Sequence, residues 1–157
     1  MIILGIDPGT ATTGYACIEK TNRGELRVID YGVISTDKKD SNSKRLLVLR
    51  KDLLALIKKY KPQMVGVEKL YFERNVTTAM GVSQARGVVL LTLEECGVDL
   101  CEFTPLQVKS VVSGYGKADK KQVQYMVQKT FGLKKIPKPD DAADALAIAL
   151  CASVKIK

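Results

Sequence analysis

The chain has 157 residues, 46% hydrophobic and 27% charged, with a formal charge of +8. That composition supports a packed core and excludes a disordered or low-complexity protein, and no apolar run reaches the roughly 18 residues of a membrane span. The chain has no histidine and no C-x-x-C pair among Cys17, Cys96, Cys101 and Cys151, which argues against a zinc site as well.

Residues 2–7 (IILGID) read as a short apolar strand ending in a carboxylate, followed by the Gly- and Thr-rich turn PGTATTG. Two more strands follow over 14–19 and 26–35, joined by the hairpin turn TNRG, so the first three strands are expected to be antiparallel neighbours. After the polar DKKDSNSK, an amphipathic helix capped by Ser41, Asn42 or Ser43 runs to about Tyr60, where Pro62 ends it. MVGVE at 64–68 is a buried strand that again terminates in a carboxylate. Asn75 or Thr77 is expected to cap a long helix through Glu95. A fifth strand over 98–103 precedes a short helix from about Pro105. SGYGK then breaks the pattern, Asp119 caps a helix to about Phe131, and Gly132 stops it. The last helix, DDAADALAIALCA, follows the loop KKIPKP. A strand meander followed by alternating strands and helices predicts an α/β fold: one domain over 1–157, a mixed five-stranded sheet, helices on both faces. The isolated cysteines and the strand-like N-terminus, without a basic leader, predict a cytoplasmic protein.

Charge is concentrated in two blocks. Residues 109–138 carry eight lysines against one acid, and residues 37–61 carry nine Lys/Arg against three. The remainder of the chain is net acidic. Two basic blocks on such a chain predict a polyanionic partner, although the block at 37–61 has the repeat of an ordinary solvated helix.

The acids fall where chemistry is expected. Asp7 and Glu68 both end strands, and sites in open α/β sheets gather at strand C-termini. Asp141 and Asp144 are three apart and share a helical face. Asp140 reads as an N-cap after Pro139. Asp144 precedes the apolar ALAIAL and Glu68 follows MVGV, so each is a carboxylate at a buried place and needs a partner. A set of hard oxygen ligands without histidine or cysteine suits Mg²⁺ or Mn²⁺. Two such ions about 4 Å apart activate a water and stabilise the leaving oxygen of a phosphodiester. A nucleotide loop is the rival reading of GTATTG. The lysine of a P-loop is missing, since Tyr15 and Ala16 follow. The GIDPGT turn also resembles a phosphate motif of the actin and sugar-kinase ATPases, but the chain has no second turn of that kind and no length for a second lobe. No nucleotide cofactor is expected.

The motifs GIDPGT–TGY, VEKLYFERN, SQARGV, QVK at 107–109 and DAADALAIA occur in this order over most of the chain. Together they resemble the RuvC Holliday-junction resolvases of the ribonuclease H-like fold. The resemblance implies a nuclease that cuts four-way DNA junctions in recombination and repair. It implies that Asp7, Glu68, Asp141 and Asp144 hold two divalent ions; some members carry histidine at the last position. It implies a stacking role for Tyr71, with Phe72 beside it, and places Lys109 and Lys120 near the scissile phosphate. Arg74, Asn75, Lys117 and Lys121 are further candidates for backbone contacts. It also implies a branch-migration motor as protein partner. Paired cuts require two sites and therefore a homodimer. The stripe Ala79, Ser83, Gly87 in the long helix offers a close-packing surface for a dimer or for the sheet.

Overall fold

The computed structural model describes residues 1–70 and 76–155. Five strands form one mixed sheet in the order β3-β2-β1-β4-β5: β1 (Ile2–Asp7), β2 (Thr12–Lys20), β3 (Leu26–Ser35), β4 (Met64–Glu68) and β5 (Asp99–Phe103). The three early strands pair antiparallel and the two later ones join in parallel, as the connection lengths predict. β2 is longer than its apolar core, because pairing with both neighbours carries it from Thr12 to Lys20. Gly24, at φ +82°, closes the hairpin between β2 and β3.

Five helices cover the sheet. On one face lie α1 (Asn42–Tyr60), capped by Ser41, and α2 (Val76–Glu95). Of the two expected caps of α2, Asn75 lies outside the described residues and Thr77 lies inside the helix. On the other face lie α3 (Pro105–Ser113), α4 (Lys120–Thr130) and α5 (Asp140–Lys155). Thr104 and Asp119 each form a capping box with a glutamine three residues on, which fixes where α3 and α4 begin. Among the described residues, no helix is long and apolar enough to cross a membrane.

Strand alternation divides the core in two. Leu4, Ile6, Val65 and Val67 pack with α1 and α2, whereas Ile3, Ala16, Ile18, Cys101 and Phe103 pack beneath α3, α4 and α5. The same alternation puts Gly5, Gly14 and Gly66 under α5. A Cβ on Gly5 would lie 2.2 Å from the Ala145 carbonyl oxygen, and one on Gly14 would lie 2.0 Å from that of Asp141. α5 therefore rests with its backbone directly on the sheet. All its residues from Ala142 to Ser153 are buried except Asp144. Each large side chain it buries, such as Leu146 or Ile148, contributes roughly 2 kcal/mol.

Gly5→Ala is expected to lower unfolding stability by about 3 kcal/mol, because backbone rather than a side chain must move. Gly87→Ala on α2 meets nothing within its own chain and is expected to raise the stability of the monomer by about 0.5–1 kcal/mol. Urea unfolding of both variants reads the contrast, and equal effects would remove the close-approach account.

Candidate active site

β1 and β4 are adjacent and parallel, with Ile6 opposite Val67, so Asp7 and Glu68 leave the sheet at the same edge. By strand alternation both carboxylates stand on the face that carries α5. α5 starts above them. Carboxylate oxygens of Asp7, Asp141 and Asp144 all lie within 4.8 Å of one another, and Glu68 flanks this trio from the neighbouring strand. Three hard oxygen donors at that spacing, with a fourth beside them, fit a divalent cation.

The electrostatics are those of a site built for positive charge. Burial, then the charges of Glu68, Asp144 and Asp141, pushes the Asp7 carboxyl up to about 8. Burial, with Asp144 next, pushes Glu68 up to about 7. Burial also raises Asp144, although the neighbouring Lys120 opposes the shift. Lys120 Nζ stands 3.2 Å from Asp144 Oδ2 and 3.5 Å from Asp140 Oδ2. Lys120 is thus the partner that the half-buried Asp144 requires. Lys109 lines the same depression as Glu68, Lys120 and Asp144. Lys117 and Lys121 are exposed on the approach to and first turn of α4. Tyr71, Phe72, Arg74 and Asn75 lie outside the described residues.

Asp140 differs from the sequence expectation. It is the first residue of α5 rather than its cap, since the helix already starts there. Its carboxylate accepts from Lys138 Nζ at 2.7 Å and lies beside Lys120. The Lys138 hydrogen bond holds its carboxyl below the ordinary range. The stripe on α2 also resolves in part: Ala85, Val89 and Leu93 face the sheet, while Gly87 is exposed. Gly87 therefore does not pack on the sheet.

Local sequence pattern assigns no role to the groups that hold the acids of the cluster still. The Thr12 hydroxyl donates to Asp141 Oδ2. The turn that carries Thr12 is tied down by Thr36, whose hydroxyl donates to the Thr10 carbonyl at 2.6 Å, and by Arg45, whose Nη2 donates to the same carbonyl at 2.8 Å. On the opposite sheet face, Arg86 Nε donates to the Glu68 carbonyl at 3.3 Å, and its Nη2 pairs with Glu102. One sequence signal pointed here: Arg86 is a lone cation in the apolar half of α2.

A family profile described as "Crossover junction endodeoxyribonuclease RuvC" matches residues 3–152. A protein of that description from Desulfitobacterium hafniense (strain DSM 10664 / DCB-2) is 54% identical over 151 residues, covering 96% of this chain and 91% of its own. The structure of Thermus thermophilus RuvC superposes with a TM-score of 0.88 at 34% identity, covering 96% of this chain and 92% of that one. The same Thermus protein in complex with Holliday junction substrate gives 0.86 at 31% identity with the same coverage.

Without metal, the site costs stability as pH rises. Asp7 and Glu68 have folded-state values above their unfolded ones, so the native state holds the protons more tightly. Their contribution is full below the unfolded value of about 4 and is lost as pH rises through about 7 to 8. In EDTA the melting temperature is expected to fall across that window. Asp7→Asn should flatten the fall and raise the melting temperature at pH 8. Calorimetry from pH 5 to 9 checks this, and an unchanged slope in the variant would remove Asp7 as its source.

Proposed function

The chain belongs to the RuvC family of crossover junction endodeoxyribonucleases, and from that premise and the carboxylate cluster we propose how it resolves four-way DNA junctions. It is a nuclease that cuts the phosphodiester backbone of such junctions in recombination and repair. The single observation that carries the chemical reading is the convergence of Asp7, Asp141 and Asp144 within 4.8 Å, beside Glu68.

A phosphodiester carries negative charge and resists attack by water. Divalent metal use accords with the family and with the acidic cluster; Mg²⁺ or Mn²⁺, as two ions, is the form we propose. When bound, such ions supply an activated water and charge stabilisation at the leaving oxygen. The chain's own groups do the rest. Asp7, Glu68, Asp141 and Asp144 hold the cations in a site whose like charges oppose one another until neutralised. Lys120, at the mouth of the cluster, and Lys109, across the depression, serve as point charges that orient the scissile phosphate and stabilise its developing charge. Tyr71 and Phe72 stack on bases at the junction centre, where unpaired faces are exposed. Arg74, Asn75, Lys117 and Lys121 contact the backbone, which fixes register without reading sequence.

The substrate also sets the assembly. Two symmetric nicks need two sites, and residues 1–157, read as one nuclease domain, offer one; a homodimer supplies both. The outer face of α2, with Met80 and Leu91 exposed beside the open Gly87, is a suitable surface for it. A branch-migration motor is the proposed protein partner, and the cytoplasm the proposed compartment.

Cleavage of a four-way junction, a linear duplex and an RNA hairpin, side by side with Mg²⁺ or EDTA, tests the reading. Metal-dependent paired nicks on the junction alone are expected; equal cutting of all three would overturn it. Asp7→Asn should abolish nicking while junction binding persists, since binding rests on the basic surface. Lys120→Ala should lower kcat by about 10²–10³-fold, the usual cost of one charge-stabilising donor. Tyr71→Ala should lose more cutting than binding.

A further inference from the structure

The lysine-rich segment 109–138 carries more than Lys109 and Lys120. Tyr115 and Tyr125 are 60% and 51% exposed and line one shallow cleft. A tyrosine combines a large apolar ring with a polar tip, which is why the residue is enriched where proteins meet partners. Tyr125 stands on the outer face of α4, opposite the buried Val123 and Val127. Lys121 and Lys129 lie one turn to either side of it on the same helix, within side-chain reach. Lys129 Nζ already sits 5.4 Å from the Tyr125 ring centroid.

Tyr115 comes from the other wall, and its turn is held in place. Gly114 takes the left-handed conformation and caps α3. The Ser113 hydroxyl donates to the Lys109 carbonyl at 2.6 Å, and Ala118 N donates to the Tyr115 carbonyl at 3.1 Å. A Cβ on Gly116 would lie 2.9 Å from Ser110 Oγ, so the turn lies close against α3. Asp119 is the only acid of the segment, and its carboxylate is occupied in capping α4. The cleft is lined by Ser113, Tyr115, Ala118, Gln122, Tyr125 and Met126, with Lys129 against one of its two rings and no carboxylate in that lining.

Its place follows from α4. Lys120 faces Asp144 at the start of the helix. Tyr125 is five residues further on, a rise of about 7.5 Å, and turned toward solvent. The axial offset alone is comparable to one or two steps along a nucleic-acid strand, and a turn of about 140° round the helix adds to it. We propose that the Tyr115–Tyr125 cleft is a stacking subsite for an unpaired base of the DNA strand beside the cleavage position, with Lys117, Lys121 and Lys129 on its phosphates. Every base has a face to stack, so the subsite holds strand without reading its sequence. A fully paired duplex keeps its base faces covered and does not fill the cleft. The subsite rests on the nuclease reading above for its purpose, but not for its test.

Fluorescein-labelled dT12, titrated in EDTA and followed by anisotropy, is the probe. Tyr125→Ala is expected to weaken binding about tenfold, and Tyr125→Phe to stay within about twofold of the original protein. Tyr115→Ala, on the other wall and outside α4, should also weaken it about tenfold, which keeps the test independent of any change in helix α4. Lys129→Ala should reduce the slope of log affinity against log salt by about 0.7. No affinity of the original protein for dT12, no loss in either alanine variant, or equal loss in Tyr125→Phe would overturn the subsite. A protein that passes these tests yet fails to nick a junction would remove the junction reading and leave the subsite standing.

Discussion

Backbone contact between α5 and the sheet is the constraint on which the site depends. Gly5, Gly14 and Gly66 leave no side chain between the two layers, so the helix settles on the strands with its carbonyls almost touching them. That depth brings Asp141 and Asp144 down to the level of Asp7. A Cβ at Gly14 would meet the main chain of Asp141 itself. The packing of one glycine and the position of one acid of the cluster are therefore the same fact. The alanine-rich helix answers the glycine-bearing strands: small residues on both sides keep the distance short, and the few large ones, such as Leu146 and Ile148, fill the gaps.

What the packing brings together, charge drives apart. Asp7 and Glu68 face each other and the α5 acids in partial burial, and each holds its proton far above the ordinary carboxylate range. Such a cluster is a cost to the metal-free fold, and the fold carries it because its core is elsewhere. Lys120 offsets part of the charge from the rim. Asp140 belongs to that rim: shared between Lys138 and Lys120, it helps place the lysine beside Asp144. A cation in the cluster would satisfy the remaining carboxylates, and Lys120 would then be available to a phosphate.

Rigid support comes from both faces of the sheet. Thr36 and Arg45 anchor the turn that carries Thr12, and Thr12 in turn fixes Asp141. Gly81 of α2 packs against the Thr10 methyl of the same turn, with a Cβ there only 3.0 Å away. Arg86 holds the end of β4 at the Glu68 carbonyl and ties it to β5 through Glu102. The turn after β1 and the end of β4 thus each have a hydrogen-bonded stay reaching them from α1 or α2, the layer that contributes no acid to the cluster. This is how a site on one face of a sheet comes to depend on helices packed on the other.

Much of this was legible in the chain itself. Strand length, turn chemistry and the apolar repeats determined the five strands, the mixed sheet and the helix boundaries to within a few residues, because those signals act over one or two turns of chain. Carboxylates at the ends of IILGID and MVGVE, and a pair three apart before an apolar helix, marked the acids that the fold brings together, because solvation makes an acid at a buried strand end or beside an apolar run conspicuous. Other matters were decided only by the tertiary structure. The sequence left Asp140 as a cap and the Ala79–Ser83–Gly87 stripe between two readings, gave Thr12, Arg45 and Arg86 no task, and did not pair Lys120 with Asp144. Apart from the local Lys138–Asp140 bond, those assignments hang on contacts between residues 16 to 129 positions apart, such as Arg86 with Glu102 and Thr12 with Asp141. Local pattern carries no information about which distant groups meet; that is set by the depth at which α5 lies on three glycines, and only the folded chain fixes it.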